Sequence, residues 1–403
     1  MNTSSGFTRR MGLALAAIGC MFVQGQAWAQ AYPTKPIKFV VPFSAGSATD
    51  IVARTVADAM GKSMGQTIVI DNRLGAGGTI AAALVAKSDA DGYTVLVHSS
   101  GHALNASLYP NLAYDTVKDL TGVTTLAAIP NVLVVNPAKG WKTQAEMIAA
   151  VKAKPGTFNY ASAGVGSGTH LNAEIFRLQS GIDALHVPYK GTPDAMTNVI
   201  GGSNDWFFAP LASALPLIKD GKLQALSVST KMRASTLPQV PTSIEAGLPA
   251  SDYTLWVGMI VPSATPPALV KRLHEEALKA LASPDIKERM AKLGADPFTM
   301  APDAFNAYIR AEIDTAARIV KAAGLKANGG PLLRSPSHEV GLLGGGQDGF
   351  AHGHPLVGRW SCGAGARHRP AAFGFGPRGG LGRGPRRGCR HGPSRWRHVF
   401  LAP

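Results

Sequence analysis

The chain has 403 residues, a formal net charge of +15 and three cysteines, Cys20, Cys362 and Cys389. That length gives two or three domains, and a segment from 30 to 326 without cysteine excludes a disulfide framework, a thiol nucleophile and a cysteine metal site there. The charge does not mark a nucleic-acid binder: the segment after Ala327 holds +9 (eleven arginines against Glu339 and Asp348), Arg9 and Arg10 hold +2, and the rest keeps +4.

Residues 1–29 read as a secretory signal peptide. Arg9 and Arg10 precede an apolar run from Met11 to about Val23, and Ala27-Trp28-Ala29 is a small-x-small cleavage site. The run is too short to span a membrane.

From there the chain alternates strand-length apolar runs with helical periodicity. Strands are expected at Ile37–Val41, Thr67–Ile70, Thr94–Val97, Gly122–Ala128, Val132–Val135, Leu185–Pro188, Trp206–Phe208, Leu223–Val228 and Tyr253–Val261. Helices are expected at Asp50–Met64, Thr79–Lys87, Thr143–Lys152, Leu171–Gln179 and Pro193–Ile200, then at Pro266–Leu281, Asp285–Leu293 and Pro302–Ala323, where proline starts and Gly294 and Gly324 mark ends. The pattern is α/β, with each domain a mostly parallel sheet covered by helices. The last helices pack back on the first domain, so the chain runs 30–130 plus 253–326 as domain 1 and 131–252 as domain 2.

Residues 327–403 contain no lysine and are dominated by Gly, Arg, Pro and His. Such a composition cannot bury enough apolar area to offset its ordering entropy. It reads as an RGG-like tail, as disorder without a role, or as out-of-frame translation; the abrupt change at a natural helix end, Gly324-Leu325-Lys326, favours the last.

Two stretches repeat one design of strand, Gly/Ser/Thr-rich loop and helix start. Pro36–Val41 runs into Pro42-Phe43-Ser44-Ala45-Gly46-Ser47-Ala48-Thr49-Asp50, and Thr157–Ala161 runs into Ser162-Ala163-Gly164-Val165-Gly166-Ser167-Gly168-Thr169-His170. Helix N-termini carry free N–H groups and partial positive charge, so two such loops on facing domains predict a clamp on a small anion; the bland reading is that they only cap helices.

Other motifs are weaker. Gly75-Ala76-Gly77-Gly78 lacks the third glycine of a dinucleotide fingerprint, because Ile80 stands there, and reads as a tight turn into a helix. Gly164-Val165-Gly166-Ser167-Gly168 puts serine one place late for a nucleophile elbow, with only His170 as a base. His98 and His102 have i,i+4 spacing without the metalloprotease glutamate, in a Ser99-Ser100-Gly101 context that suggests a loop. No metal site, catalytic residue or cofactor is expected.

The ordered series Pro36–Asp50, Ile70-Asp71-Asn72-Arg73, Asp91-Gly92-Tyr93, Tyr160–Leu171, Val187-Pro188-Tyr189-Lys190-Gly191 and Leu237-Pro238-Gln239-Val240-Pro241-Thr242 closely resembles the Bug family, the periplasmic substrate-binding receptors of tripartite tricarboxylate transporters. The resemblance covers about residues 31–326. It implies a two-domain Venus flytrap of the periplasmic-binding-protein kind that takes a small carboxylate between its domains and delivers it to a two-component integral membrane permease. By position it carries ligand binding onto Phe43, Ser44, Ala45, Gly46 and Asp50 in the first loop, and Ser162, Ala163, Gly164, Gly166, Ser167, Thr169 and His170 in the second. Asp205 matches an acidic residue ending a strand toward the cleft, where it would read a second ligand group or act as a cap. The bulk of Trp206, Phe207 and Phe208 departs from the family pattern and suggests an aromatic carboxylate. A monomeric, non-enzymatic receptor is expected, without nucleic-acid partners; the opposing reading is a periplasmic α/β enzyme acting on a carboxylate in the same cleft.

Overall fold

The computed structural model describes residues 32–326; the expected signal peptide and tail lie outside them. Strand β1 (Ile37–Val41) is apolar and almost wholly buried, as an inner strand must be. It pairs in parallel with β2 (Ile68–Asn72) on one side and β3 (Thr94–Ser99) on the other. Helix α1 (Ala48–Met64) links β1 to β2. It starts where the Ser47 hydroxyl accepts the Asp50 N–H at 3.3 Å and stops at Gly65 in the left-handed conformation. Helix α2 (Thr79–Ala86) links β2 to β3, and α3 (Gly101–Leu108) follows β3.

Strand β4 (Leu120–Val135) then runs for 16 residues as one element. Two strands are expected there from sequence, with a break around Pro130. Proline's fixed φ is compatible with extended backbone, and Pro130 falls where the strand changes partners. Up to Pro130 β4 pairs antiparallel with β9 (Thr254–Pro262); from Asn131 it pairs antiparallel with β7 (Trp206–Pro210), and from Val132 with β8 (Gln224–Val228).

The second half contains α4 (Gln144–Ala153), β5 (Asn159–Ser162), α5 (Gly168–Ser180), β6 (Leu185–Pro188), α6 (Thr192–Ile200), β7, α7 (Leu211–Lys219) and β8. Strand β5 is parallel to both β6 and β7. The chain returns through β9, which lies between β3 and β4 and is antiparallel to both. Helices α8 (Pro267–Ala282), α9 (Pro284–Lys292) and α10 (Pro302–Ala323) complete the first half, with β10 (Asp296–Pro297) against β4. The result is a two-lobed α/β fold. Its sheets are mixed rather than mostly parallel, because the strand that crosses between lobes runs against its neighbours.

Each lobe has apolar clusters on both faces of its sheet. In the first, Phe39, Val97 and Met259 pack with α1 and α8, while Val40, Trp256 and Phe305 pack on the other side. In the second, Phe207 packs with Leu215 and Val228, and Trp206 and Phe208 pack with Tyr160 and Phe176. Trp206, Phe207 and Phe208 are 0–1% exposed. They are core residues of β7 and do not face a ligand, which removes the basis for expecting an aromatic acid.

Candidate functional site

Strands β1, β2, β5 and β6 send their carboxyl ends toward one cleft, the usual ligand position in open α/β sheets. A cavity of about 850 Å³ lies there. The first lobe lines it with Pro42 and Phe43 after β1, the turn Gly75-Ala76-Gly77-Gly78 after β2, and Tyr109 at the end of α3. The second lobe lines it with Ala163, Gly164 and Val165 after β5, Pro188, Tyr189 and Lys190 at the end of β6, and Asp194, Thr197 and Asn198 of α6.

The first loop is held from behind by Asp50. Its carboxylate accepts hydrogen bonds from the Gly46 N–H, Arg54 Nε and Asn72 Nδ2, each at 2.9 Å. Asn72 also donates to the Phe43 carbonyl at 2.8 Å. Burial alone would raise the Asp50 carboxyl, but the bonds from Arg54, Asn72 and Gly46 outweigh it and hold the group below the usual carboxylate range. Asp50 is 1% exposed, so it positions the loop and does not touch the cavity. Ala45 and Gly46 sit on the exposed shoulder of the loop, and Ser44 packs on the opposite lobe.

The second loop is also tied internally. The Ser162 hydroxyl accepts the Gly164 N–H at 3.1 Å, Thr169 Oγ1 accepts the Ala163 N–H at 2.9 Å, and His170 Nδ1 accepts the Gly166 N–H at 3.3 Å. Ser167 caps α5 by accepting the His170 N–H at 3.2 Å. The Ser162 Oγ is 2.6 Å from His186 Nε2, and the His186 ring stacks on His170 with centroids 4.0 Å apart. Burial is the leading cause that lowers His170 to about 4 and His186 to about 2.

Of the residues expected at the ligand, Phe43, Ala163 and Gly164 line the cavity. Asp50, Ser162, Gly166, Ser167, Thr169 and His170 form the shell that fixes their shape. Asp205 is elsewhere. It precedes β7, beside the start of the parallel strand β5, at the sheet edge opposite the cleft. Its carboxylate pairs with Lys139 and accepts the Asn159 N–H at 2.7 Å. A strand running toward the cleft begins at the far edge, so Asp205 lies away from the cavity and caps the start of β5.

The glycine turn at 75–78, read from sequence as a mere tight turn, forms one cavity wall. Its signal was the run of glycines: Gly75, Gly77 and Gly78 all have positive φ, and a side chain on Gly77 would overlap the Val165 carbonyl of the other lobe. Tyr189 and Lys190 stand in the Val187–Gly191 stretch of the family series, though not read there as ligand-facing; Tyr109, Asp194, Thr197 and Asn198 carry no comparable local signature.

The lobes meet at the cleft margins. Tyr109 donates to the Val165 carbonyl at 3.0 Å, and the Ser213 hydroxyl to the Gly46 carbonyl at 3.2 Å. A wall of backbone amides, glycines, two tyrosines and one lysine can hold an anion. Ser167, the serine considered as a nucleophile, is 1% exposed and committed to its cap. His98 and His102 lie 5.4 Å apart between β3 and α3, and no group of three metal-ligating side chains occurs among the described residues.

A family profile described as "Tripartite tricarboxylate transporter family receptor" matches residues 52–325. Protein BugT of Bordetella pertussis is 35% identical over 318 residues, covering 78% of this chain and 97% of that protein. Among solved structures, an R. palustris protein with adipate is 33% identical with a TM-score of 0.71, covering 73% of this chain and 99% of that one. The MatC protein of Rhodopseudomonas palustris with bound malate is also 33% identical, with a TM-score of 0.69 and coverage of 72% and 100%. The chain belongs to the tripartite tricarboxylate transporter receptors, the Bug family.

Proposed function

We propose that this receptor captures a small carboxylate between residues 32–130 plus 253–326 and residues 131–252, acts as a monomer in the periplasm, and delivers its cargo to a two-component integral membrane permease. The observation that carries the reading is the cavity itself: four parallel-strand carboxyl ends, the glycine turn that leads into α2 and one flank of α6 converge on about 850 Å³. A turn that leads into a helix supplies N–H donors and positive potential to an anion without needing a dedicated arginine. Adipate and malate in two relatives support the same chemistry. The signal-peptide pattern of residues 1–29 supports export.

The test is a thermal-shift screen against mono-, di- and tricarboxylates. A cargo at about 100 times its Kd adds roughly 2.7 kcal/mol to the folded state. The reading fails if the protein is folded and no carboxylate raises its melting temperature.

A further inference from the structure

We propose that Asn105 is a positioning residue for the carboxylate: it holds the Gly77 carbonyl turned out of the cleft, so that the glycine turn does not present the negative end of a peptide dipole to the anion. This rests on the carboxylate-receptor reading and deepens it.

A carboxylate is repelled by carbonyl oxygens, and a cleft walled by loop backbone is rich in them. Here the carbonyls of the lining loops are drawn off by donors. The Phe43 carbonyl accepts Asn72 Nδ2 at 2.8 Å, and the Val165 carbonyl accepts the Tyr109 hydroxyl at 3.0 Å. The Gly164 carbonyl accepts the Ser167 N–H at 3.0 Å. In the glycine turn, the Gly75 carbonyl accepts the Gly78 N–H at 2.9 Å, and the Gly77 carbonyl accepts Asn105 Nδ2 at 3.0 Å.

The Gly77 bond matters most, because the peptide it holds is the least constrained. Gly77 and Gly78 have φ of 60° and 102°, and neither has a side chain to resist rotation. If that peptide turned over, the Gly77 oxygen would leave the α3 side for the cavity that Gly77 lines, and the Gly78 N–H would lose Gly75.

Asn105 is placed for this hold. It is 0% exposed, lies on α3 one turn before Tyr109, and does not line the cavity. The two donors therefore share a helix face, one serving the wall of each lobe. Asn105 Oδ1 is buried without a partner among the described residues and abuts Gly166 of the second lobe, where any side chain would overlap it. Reversing the amide would set Oδ1 against the Gly77 oxygen, acceptor on acceptor. A buried amide oxygen left unbonded costs stability. Packing alone therefore does not account for an asparagine here, since leucine fills a similar volume.

Asn105→Leu keeps the volume and removes the donor. Calorimetric titration with malate, adipate or whichever acid the thermal-shift screen returns should show affinity lower by roughly five- to tenfold. Amide hydrogen exchange of the ligand-free proteins, read by NMR, separates positioning from packing. Gly78 is buried; its amide should exchange faster in the variant, while the amides of β1 and β9 keep wild-type protection. Wild-type affinity, or a Gly78 amide that stays protected, overturns the proposal. Loss of protection spread through both strands also overturns it, since that marks a packing role. If the variant does not fold, a crystal structure of wild type with malate or adipate decides: a Gly77 carbonyl still on Asn105 supports the proposal, and one turned toward the acid overturns it. If wild type binds no carboxylate at all, the receptor reading itself falls and takes the proposal with it.

Discussion

Gly191 and Ser44 face each other across the two lobes: the Ser44 hydroxyl points at the Gly191 Cα, is buried, and has no partner among the described residues. Any side chain on Gly191 would overlap it. Gly191 has φ 171°, ordinary extended backbone that any residue adopts. Gly101 makes a similar contact from the first turn of α3, where an added Cβ would lie 2.6 Å from the Gly166 carbonyl. Both glycines are thus required by the approach of the two lobes in this structure and not by their own backbone.

Gly191→Ala and Gly101→Ala are therefore expected to fold normally but to resist closure. Alanine in α3 should even favour the helix by about 1 kcal/mol. Small-angle scattering with saturating carboxylate should show wild type contracting and both variants remaining extended, with affinity lower by tenfold or more.

Asp50→Ala removes the acceptor shared by Gly46, Arg54 and Asn72. The loss is expected at about 3 kcal/mol, since three donors lose one buried ionic partner. Urea denaturation checks it. The Asp50 carboxyl is held below its unfolded value, so its contribution is present above about pH 4 and disappears as pH falls through the folded pKa. The variant should accordingly lose less stability on acidification than wild type.

Lys190 is the sole cation, and Asp194 the sole anion, among the described residues that line the cavity. Lys190→Met should leave stability unchanged, because Lys190 is exposed. It should weaken a dicarboxylate more than a monocarboxylate, by about two- to fivefold, with a reduced dependence of Kd on salt. Titration at two ionic strengths reads both effects.

Acid should destabilise the protein through its buried histidines. His102 and His170 are lowered to about 4 and His186 to about 2, with burial leading in each case. Unfolding returns them to about 6.5, so the unfolded chain binds more protons below that pH and stability falls as pH drops from about 6.5 toward 4. Each of the rings near 4 accounts for about 3 kcal/mol over that window. The urea midpoint at pH 7.5 and 4.5 measures the slope, and His170→Gln should flatten it. Glu174 and Arg177 act on His170 in opposite senses and temper the effect.

Asp205→Ala separates folding from binding. Removing a carboxylate shared by Lys139 and the Asn159 N–H should cost about 1–3 kcal/mol of stability, while the Kd for carboxylate stays at the wild-type value.

The alternation of strands and helices was legible because apolar periodicity is local, as in Ile37–Val41 and Pro302–Ala323. The two loops were legible because serine, glycine and threonine at helix starts have a physical purpose: Ser47 and Ser167 cap as their positions demand. What sequence could not show is which side of a loop meets the ligand. Asp50, Thr169 and His170 carry the chemistry that suggests contact, yet they spend it on the backbone of their own loops. Lys190 and Tyr109 reach the cavity only through tertiary placement. Asp205 was misplaced because strand direction is set by pairing: β7 lies parallel to β5, so its first residue starts at the far edge. The gap expected between Ala128 and Val132 is continuous strand, because at Pro130 the chain only exchanges neighbours.

The lobes are joined by two adjacent strands, with β4 passing at Pro130 and the chain returning at Thr254, its register partner. A pair of hydrogen-bonded strands is stiff to stretching and to sliding, and yields by flexing across its own plane. Relative motion is thereby reduced to a single coordinate. Closure along that coordinate would bring Ser44 against Gly191 and Tyr109 against Val165, the contacts the lobes make in this structure.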